Sequence, residues 1–278
     1  MRNYRELSKI FSTNCVEELA RGNIGRVADV AQVYIECLPR CFTPADVYEV
    51  CYKDLSKNYR FEYFFKNVVA NKILLGRHKL STATLVPEFR VENNKADCVV
   101  LNGNSTCYEI KTDLDNFSRL NDQLNAYEKI FDKTYVVVAE GHRDYALKNI
   151  FEDVGVIVLT SKNRLSEVRP AKVVTGAIDA KVLIRSLRKD EYFSIALQME
   201  DAPIGLANTE VFSWCESVFL RADASLLRSE FCKALKISRG LNKKFSLSLP
   251  RSLLMASVSV SLSEANKNNL ARVVNSPI

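Results

Sequence analysis

The sequence predicts an α/β core with helical N- and C-terminal additions, and three observations carry that prediction. Two short strand-like runs, ADCVVL at 96–101 and STCYEIK at 105–111, flank Asn102-Gly103, the strongest two-residue hairpin signal because both residues tolerate positive φ. Two continuous apolar runs, YVVVA at 135–139 and VGVIVL at 154–159, have the composition of strands buried in a parallel or mixed sheet. On either side of this region apolar residues recur with helical spacing.

Taken in order, Val27, Val30, Ala31 and Tyr34 fall on one helix face. Thr43-Pro44 reads as an N-cap followed by proline at the first helical position, opening a helix to about Leu55. Phe61, Phe64, Phe65, Val68 and Val69 mark a strongly amphipathic helix. Leu80–Val91 is rich in β-formers, and Asn93-Asn94 supplies a turn into the second strand. Phe117, Leu120, Leu124, Tyr127 and Phe131 mark a helix after the hairpin, and 143–152 reads as another between the two apolar runs. The predicted core over 59–160 is therefore helix, three-strand meander, helix, strand, helix, strand. A helical segment (1–58) precedes it. A basic, mainly helical region (161–278) follows, with helices near 179–197 and 209–237 and a flexible tail from about Ser246. Within that tail, Ser257–Leu262 alternates like a strand but has no evident partner.

The composition excludes whole classes of protein. At 26% charged and 47% apolar over 278 residues the chain is neither fibrous nor disordered, and it can bury a sizeable core. No uncharged apolar run approaches the roughly 20 residues that span a bilayer. The start, MRNYRELSKIF, lacks the apolar stretch of a secretory signal, so a cytoplasmic location and no membrane partner are expected. Eight cysteines form no C-x-x-C pair and are not crowded as in a disulfide scaffold. Cys37, Cys41 and Cys51 could supply three zinc ligands, but three buried thiols in a helical segment is the favoured reading. Two histidines, His78 and His142, are too few for a His-rich metal site, and a lone histidine such as His142 is usually structural.

Charge is unevenly spread. Residues 1–58 carry 8 basic and 8 acidic side chains, 59–160 carry 13 and 14, and 161–278 carry 18 and 11, which together give the net +6. Within Arg221–Arg251 eight basic residues face only Asp223 and Glu230. Such a stretch suits a polyanion, because each neutralised phosphate releases condensed counterions, and Lys236, Arg239, Lys243 and Lys244 are the candidate contacts. A solvated helix face is the competing reading.

The candidate chemistry lies on the hairpin. Glu109 and Lys111 alternate around Ile110 and so share one strand face. A two-residue turn at Asn102-Gly103 places Asp97 beside Tyr108–Glu109, and a slight slip or bulge brings the two carboxylates onto one face. Two carboxylates and a lysine form a hard-oxygen site suited to Mg²⁺ or Mn²⁺. This Asp-x11-Glu-x-Lys pattern, with a helix before and after, resembles the PD-(D/E)xK nuclease superfamily, which has the restriction-endonuclease-like fold. Glu88 in the preceding strand, and the run Glu109-Ile110-Lys111-Thr112-Asp113-x-Asp115 followed by Arg119-Leu120, Gln123 and Ala126-Tyr127, make it similar to a bacterial family of nuclease-like proteins. The resemblance covers about 60–160, with weaker similarity in the basic helices after 180, and Ala96-Asp97 stands where the family has Pro-Asp.

The resemblance implies a metal-dependent nuclease hydrolysing phosphodiester bonds. Asp97, Glu109 and the Ile110 carbonyl would hold Mg²⁺ or Mn²⁺, which neutralises the phosphate and acidifies a water. Lys111 would orient that water and stabilise the developing charge. Glu62, on the first helix, and Glu88 compete for a further carboxylate role. Gln123 and Tyr127, one turn apart, would line the site and support substrate or the lysine. Asp115 is a plausible N-cap of their helix. The expected partner is nucleic acid, DNA ahead of RNA, with a homodimer as an option. Two other classes stay open: a catalytically silent nuclease-fold module that binds nucleic acid or a protein, and a structural subunit held by a cysteine-bound zinc.

Overall fold

The computed structural model describes residues 2–74, 76, 83–174 and 176–278. His78 and the start of the expected β-run at Leu80 lie outside them. In chain order the helices are α1 (Tyr4–Ser8), α2 (Thr13–Ala20), α3 (Gly25–Val33), α4 (Pro44–Asn58), α5 (Glu62–Val69), α6 (Leu120–Glu128) and α7 (Arg143–Asn149). They continue as α8 (Ala180–Ser186), α9 (Lys189–Leu197), α10 (Val211–Arg221), α11 (Ala224–Ser238), α12 (Lys243–Ser248), α13 (Leu254–Ser259) and α14 (Glu264–Val274). The strands are β1 (Thr84–Val91), β2 (Asn94–Leu101), β3 (Ser105–Lys111), β4 (Lys133–Ala139), β5 (Gly155–Leu159) and β6 (Leu165–Arg169). None of the described helices is long and apolar enough to cross a membrane.

The chain forms two compact units: residues 1–77, 112–114 and 241–278 make unit 1, and 78–111 and 115–240 make unit 2. The boundaries expected at 58 and 160 thus fall inside units. Helix α5, expected in the α/β core, belongs to unit 1, where its polar side chains tie it to the C-terminal segment. Tyr63 donates its hydroxyl to the Ser252 carbonyl at 2.7 Å, Asn67 donates to the Arg251 carbonyl at 3.0 Å, and the Met255 N–H donates to Asn67 Oδ1 at 2.9 Å. The expected flexible tail is instead structural. Leu249, Leu253, Ala256, Val260, Leu270 and Val274 join the apolar core built by α1–α4. Ser257–Leu262 is not a strand: α13 runs to Ser259 and Val260 is buried after it. The Thr43-Pro44 signal matches the observed start of α4, where Thr43 and Asp46 form a reciprocal capping box.

Unit 2 is a mixed α/β body with a six-stranded sheet in the order β1-β2-β3-β4-β5-β6. β1, β2 and β3 form the antiparallel meander, β3, β4 and β5 run parallel, and β6 returns antiparallel on β5. The sixth strand was not expected. Its LSEVR sequence is short and only half-buried, as befits an edge, and has no apolar run to announce it. The crossovers β3–α6–β4 and β4–α7–β5 supply the helices that a parallel sheet must have on its face. Alternate residues Cys107, Val136, Val138, Val156 and Val158 turn to a core shared with α6, α7 and the helices from α8 to α11. The helical stretches expected at 179–197 and 209–237 are each broken in two, at Leu187-Arg188 and Ala222-Asp223. Asp223 breaks the second because its side chain caps α11, accepting from the Ser225 and Leu226 N–H groups.

On other side chains of the parallel strands, Tyr108 and Tyr135 stack at 5.5 Å between ring centroids. Gly155 pairs with Tyr135 across the sheet, and a Cβ there would stand 2.3 Å from the Tyr135 ring and 2.7 Å from the Ala171 nitrogen. Gly155→Ala should therefore cost about 1–3 kcal/mol of stability through overpacking, read as a lowered urea midpoint. An unchanged midpoint would show that the tyrosine ring can shift without cost.

Candidate active site

The turn between β2 and β3 sets the site. Leu101 pairs with Ser105, so the loop is Asn102-Gly103-Asn104, three residues and not two, with Gly103 at φ 109°. The extra residue shifts the register by one. Cys98 pairs with Tyr108, which makes Glu109 the next position opposite Asp97. The longer turn therefore supplies the slip that the two-residue register needed. The preceding turn is Glu92-Asn93, one residue earlier than expected, because Val91 pairs with Asn94.

Across β1 and β2 the pairs Pro87–Cys98 and Phe89–Ala96 bracket Glu88 and Asp97, which face each other with carboxylate oxygens within 4.8 Å. Glu88 has φ 51°, a left-handed conformation that costs energy in a residue with a side chain and that recurs at functional sites. Glu88, Asp97 and Glu109 thus occupy consecutive register positions across three strands. Glu88 is half-exposed and lies 3.8 Å from Lys95.

Asp97 Oδ2 accepts from the Ile110 N–H at 2.7 Å, so its carboxylate is anchored to the backbone between Glu109 and Lys111. Glu109 is buried; Oε1 accepts from Lys111 Nζ at 3.1 Å and Oε2 from the Tyr127 hydroxyl at 3.0 Å. Lys111 Nζ also donates to Gln123 Oε1 at 3.0 Å. Gln123 and Tyr127, one turn apart on α6, therefore meet the strand pair from the same side. Burial pushes the Glu109 carboxyl up to about 7 from an ordinary 4.5; the Asp97 charge adds to this, and Lys111 and Tyr127 offset part of it. Burial and the Glu109 charge push the Tyr127 hydroxyl upward, which keeps it protonated as a donor.

Glu109, Lys111, Gln123 and Tyr127 form one hydrogen-bonded group, with Asp97 anchored beside it. Glu62 belongs to unit 1, where it is exposed and pairs with Lys66 at 2.6 Å. Asp115 is not the cap of α6. The helix starts at Leu120 after Arg119, and Asp113 and Asp115 are exposed. Of the thiols, Cys37 and Cys41 are exposed, whereas Cys51 is buried, donates to the Leu7 carbonyl at 3.9 Å and has its thiol pushed up to about 12 by burial.

The basic segment is divided between the units. Lys236 and Arg239 lie in unit 2, and Lys243 and Lys244 in unit 1, where both are exposed. Arg239 is not free to contact phosphate: its guanidinium makes a two-pronged pair with buried Glu191 at 2.6 and 2.7 Å and lies over the Phe89 ring at 5.0 Å. Arg228 is buried against Asp132 at 2.9 Å, Arg221 pairs with Glu200 and Lys233 with Glu230. Sequence counting missed this, because the neutralising Asp132, Glu191 and Glu200 lie outside the segment.

Burial and then the Asp97 charge raise the Glu109 carboxyl, and the hard-oxygen donors Asp97 and Glu109 fit a divalent cation, which would relieve their repulsion. Thiol or imidazole ligands of the kind softer metals prefer are absent from the group just described.

Comparison with known proteins places the chain. At 32% identity over 123 residues it is similar to Protein cII of Enterobacteria phage P4, a match that spans 44% of this chain and 44% of that protein. A solved structure, the SPO1766 protein of unknown function from Silicibacter pomeroyi, is similar over 52% of this chain and 92% of that one, with 17% identity and a TM-score of 0.33. The family model described as Bacteriophage P4 protein cII matches residues 56–249, a stretch that contains every residue of the site described above. The chain belongs to the bacteriophage P4 protein cII family.

Proposed function

We propose that unit 2 is a metal-dependent nuclease of the PD-(D/E)xK type, with a restriction-endonuclease-like core, that hydrolyses phosphodiester bonds in DNA. The observation that carries this reading is the buried group Glu109–Lys111–Gln123–Tyr127 with Asp97 anchored on the Ile110 N–H. A lysine and two carboxylates are costly to hold together at the end of a β-strand, and a purely structural role is better served by apolar side chains. A divalent ion held by Asp97 and Glu109 would supply charge neutralisation at the phosphate and a more acidic water.

The protein's own groups prepare the rest. Lys111 has two of its three ammonium donors committed, to Glu109 and Gln123, which fixes its direction and leaves a third for a water or a phosphate oxygen. Tyr127 holds the second oxygen of Glu109, so the carboxylate cannot rotate away from the strand face. Asp97 is held by a backbone N–H, so its placement survives side-chain changes at 109 and 111. Glu88 is the further carboxylate that unit 2 itself supplies.

The test is incubation of plasmid, linear duplex and single-stranded DNA, and RNA, with the protein and Mg²⁺ or Mn²⁺. Cleavage is expected with either ion and should vanish in EDTA. Ca²⁺ should support little turnover, since its larger, looser shell positions water poorly. Full activity in EDTA overturns the mechanism. Binding without cleavage under every metal favours the silent nuclease-fold module.

A further inference from the structure

The parallel strands β3 and β4 end side by side, with Lys111 paired to Val138. The chain leaves β3 through the loop before α6 and leaves β4 through a short turn, Glu140–His142, into α7. Both exits carry aromatic rings, and these meet. Phe117 lies 5.0 Å from the His142 ring, edge to face at 76°, and 4.6 Å from the Tyr145 ring at 51°. Phe117 is packed on the unit 2 core, and its carbonyl accepts from the Leu120 N–H at 3.0 Å, which joins it rigidly to the helix that holds Lys111 through Gln123. Tyr145 is the outer member and is 49% exposed. His142 Nε2 is buried and has no hydrogen-bond partner.

We propose that the exposed ring of Tyr145, braced by Phe117, which in turn meets His142, is a stacking platform for an unpaired base of single-stranded DNA, at the end of β3 that presents Lys111. This rests on the nuclease reading and narrows its substrate to DNA with an unstacked base at the site. Aromatic rings bind bases without regard to sequence, because every base offers a π-face, whereas a paired base in a duplex does not. The charge around Tyr145 is nearly balanced, so stacking must supply the affinity there. Exposed Arg119, Arg143 and Lys148 are offset along the same loop and helix by exposed Asp115 and Asp144, so phosphate attraction alone is weak there.

The experiment is fluorescence anisotropy of labelled oligo-dT with the full chain in EDTA, where cleavage is suppressed. Tyr145→Ala should weaken binding roughly five- to hundredfold, Tyr145→Phe should keep it within about twofold, and the slope of log affinity against log salt should not change. Binding to a duplex of equal length should be little affected. An unchanged affinity in Tyr145→Ala, or an equal loss on duplex, overturns the platform. Tighter binding of oligo-U than of oligo-dT overturns the choice of DNA. Parallel cleavage assays with Mg²⁺ separate the two ideas. Cleavage with no Tyr145 effect on binding sinks the platform alone, and Tyr145-dependent binding with no cleavage sinks the nuclease reading alone.

Discussion

Glu109→Gln should abolish cleavage and at the same time stabilise the fold above neutral pH. The loss of activity, expected at about hundredfold or more, follows from removing the charge that would hold the metal and from weakening the hold on Lys111. The gain in stability comes from the burial of the same carboxyl. The Glu109 carboxyl sits at about 7 in the folded protein against an ordinary 4.5, chiefly because of burial and then the Asp97 charge. The folded state therefore holds this proton more tightly than the unfolded chain does. Its stabilising effect is fully present below about 4.5 and is lost as pH rises through about 7. Glutamine does not ionise, its carbonyl can accept from Lys111, and its amide can donate to the Tyr127 oxygen. The difference in unfolding midpoint between variant and wild type, measured in EDTA, should thus shift in the variant's favour from pH 5 to pH 8. The free-energy change should be of the order of a few kcal/mol. A difference that stays constant over this range would show that burial and the Asp97 charge do not raise the Glu109 carboxyl.

Arg228→Ala should be far more damaging than replacement of the exposed arginines of the basic segment. Arg228 donates to Asp132 Oδ1 at 2.9 Å, while Asp132 Oδ2 accepts from the Ser105 N–H at 2.6 Å and hydroxyl at 2.9 Å. This pins the starts of β3 and β4 to α11. Truncation leaves a buried carboxylate without its cation, at a cost of about 3–5 kcal/mol. Arg228→Lys should recover only part of this, since an ammonium cannot reproduce the planar fork. Arg221, whose pair with Glu200 is 59% exposed on the arginine side, should cost less than about 1 kcal/mol when replaced by alanine. Urea midpoints of the three variants decide the point, and equal costs for Arg228→Ala and Arg221→Ala would contradict this account of the segment.

The contrast between these arginines shows where the sequence was legible. Local signals identified local structure: Thr43-Pro44 marked α4, the alternation of Glu109 and Lys111 put both on one face, and the apolar runs at 135 and 154 became β4 and β5. Helix periodicity together with the resemblance put Gln123 and Tyr127 on the side of the site and the lysine, where Gln123 does meet Lys111, but the Tyr127 bond to Glu109 had no signal in the sequence. Long-range partners were not legible. Nothing near Arg239 in the chain announces Glu191, 48 residues earlier, and nothing near Asn67 announces Met255. The tail after Ser246 looked polar because serines are interspersed among its apolar residues, and only packing shows that those residues share one core. The loop length at 102–104 was misread because Asn-Gly also fits a three-residue turn with glycine in the left-handed region.

The central claim is that Lys111 and its carboxylates perform phosphodiester chemistry. The most direct measurement is the single-turnover cleavage rate of DNA in Mg²⁺ by wild type and by Lys111→Ala, at protein concentrations that saturate the substrate. The expected result is cleavage by wild type and a loss of about hundredfold or more in the variant, with oligonucleotide binding retained and a cooperative unfolding transition that shows the variant is folded. Cleavage by Lys111→Ala at the wild-type rate, or no cleavage by wild type on any nucleic acid, would contradict it.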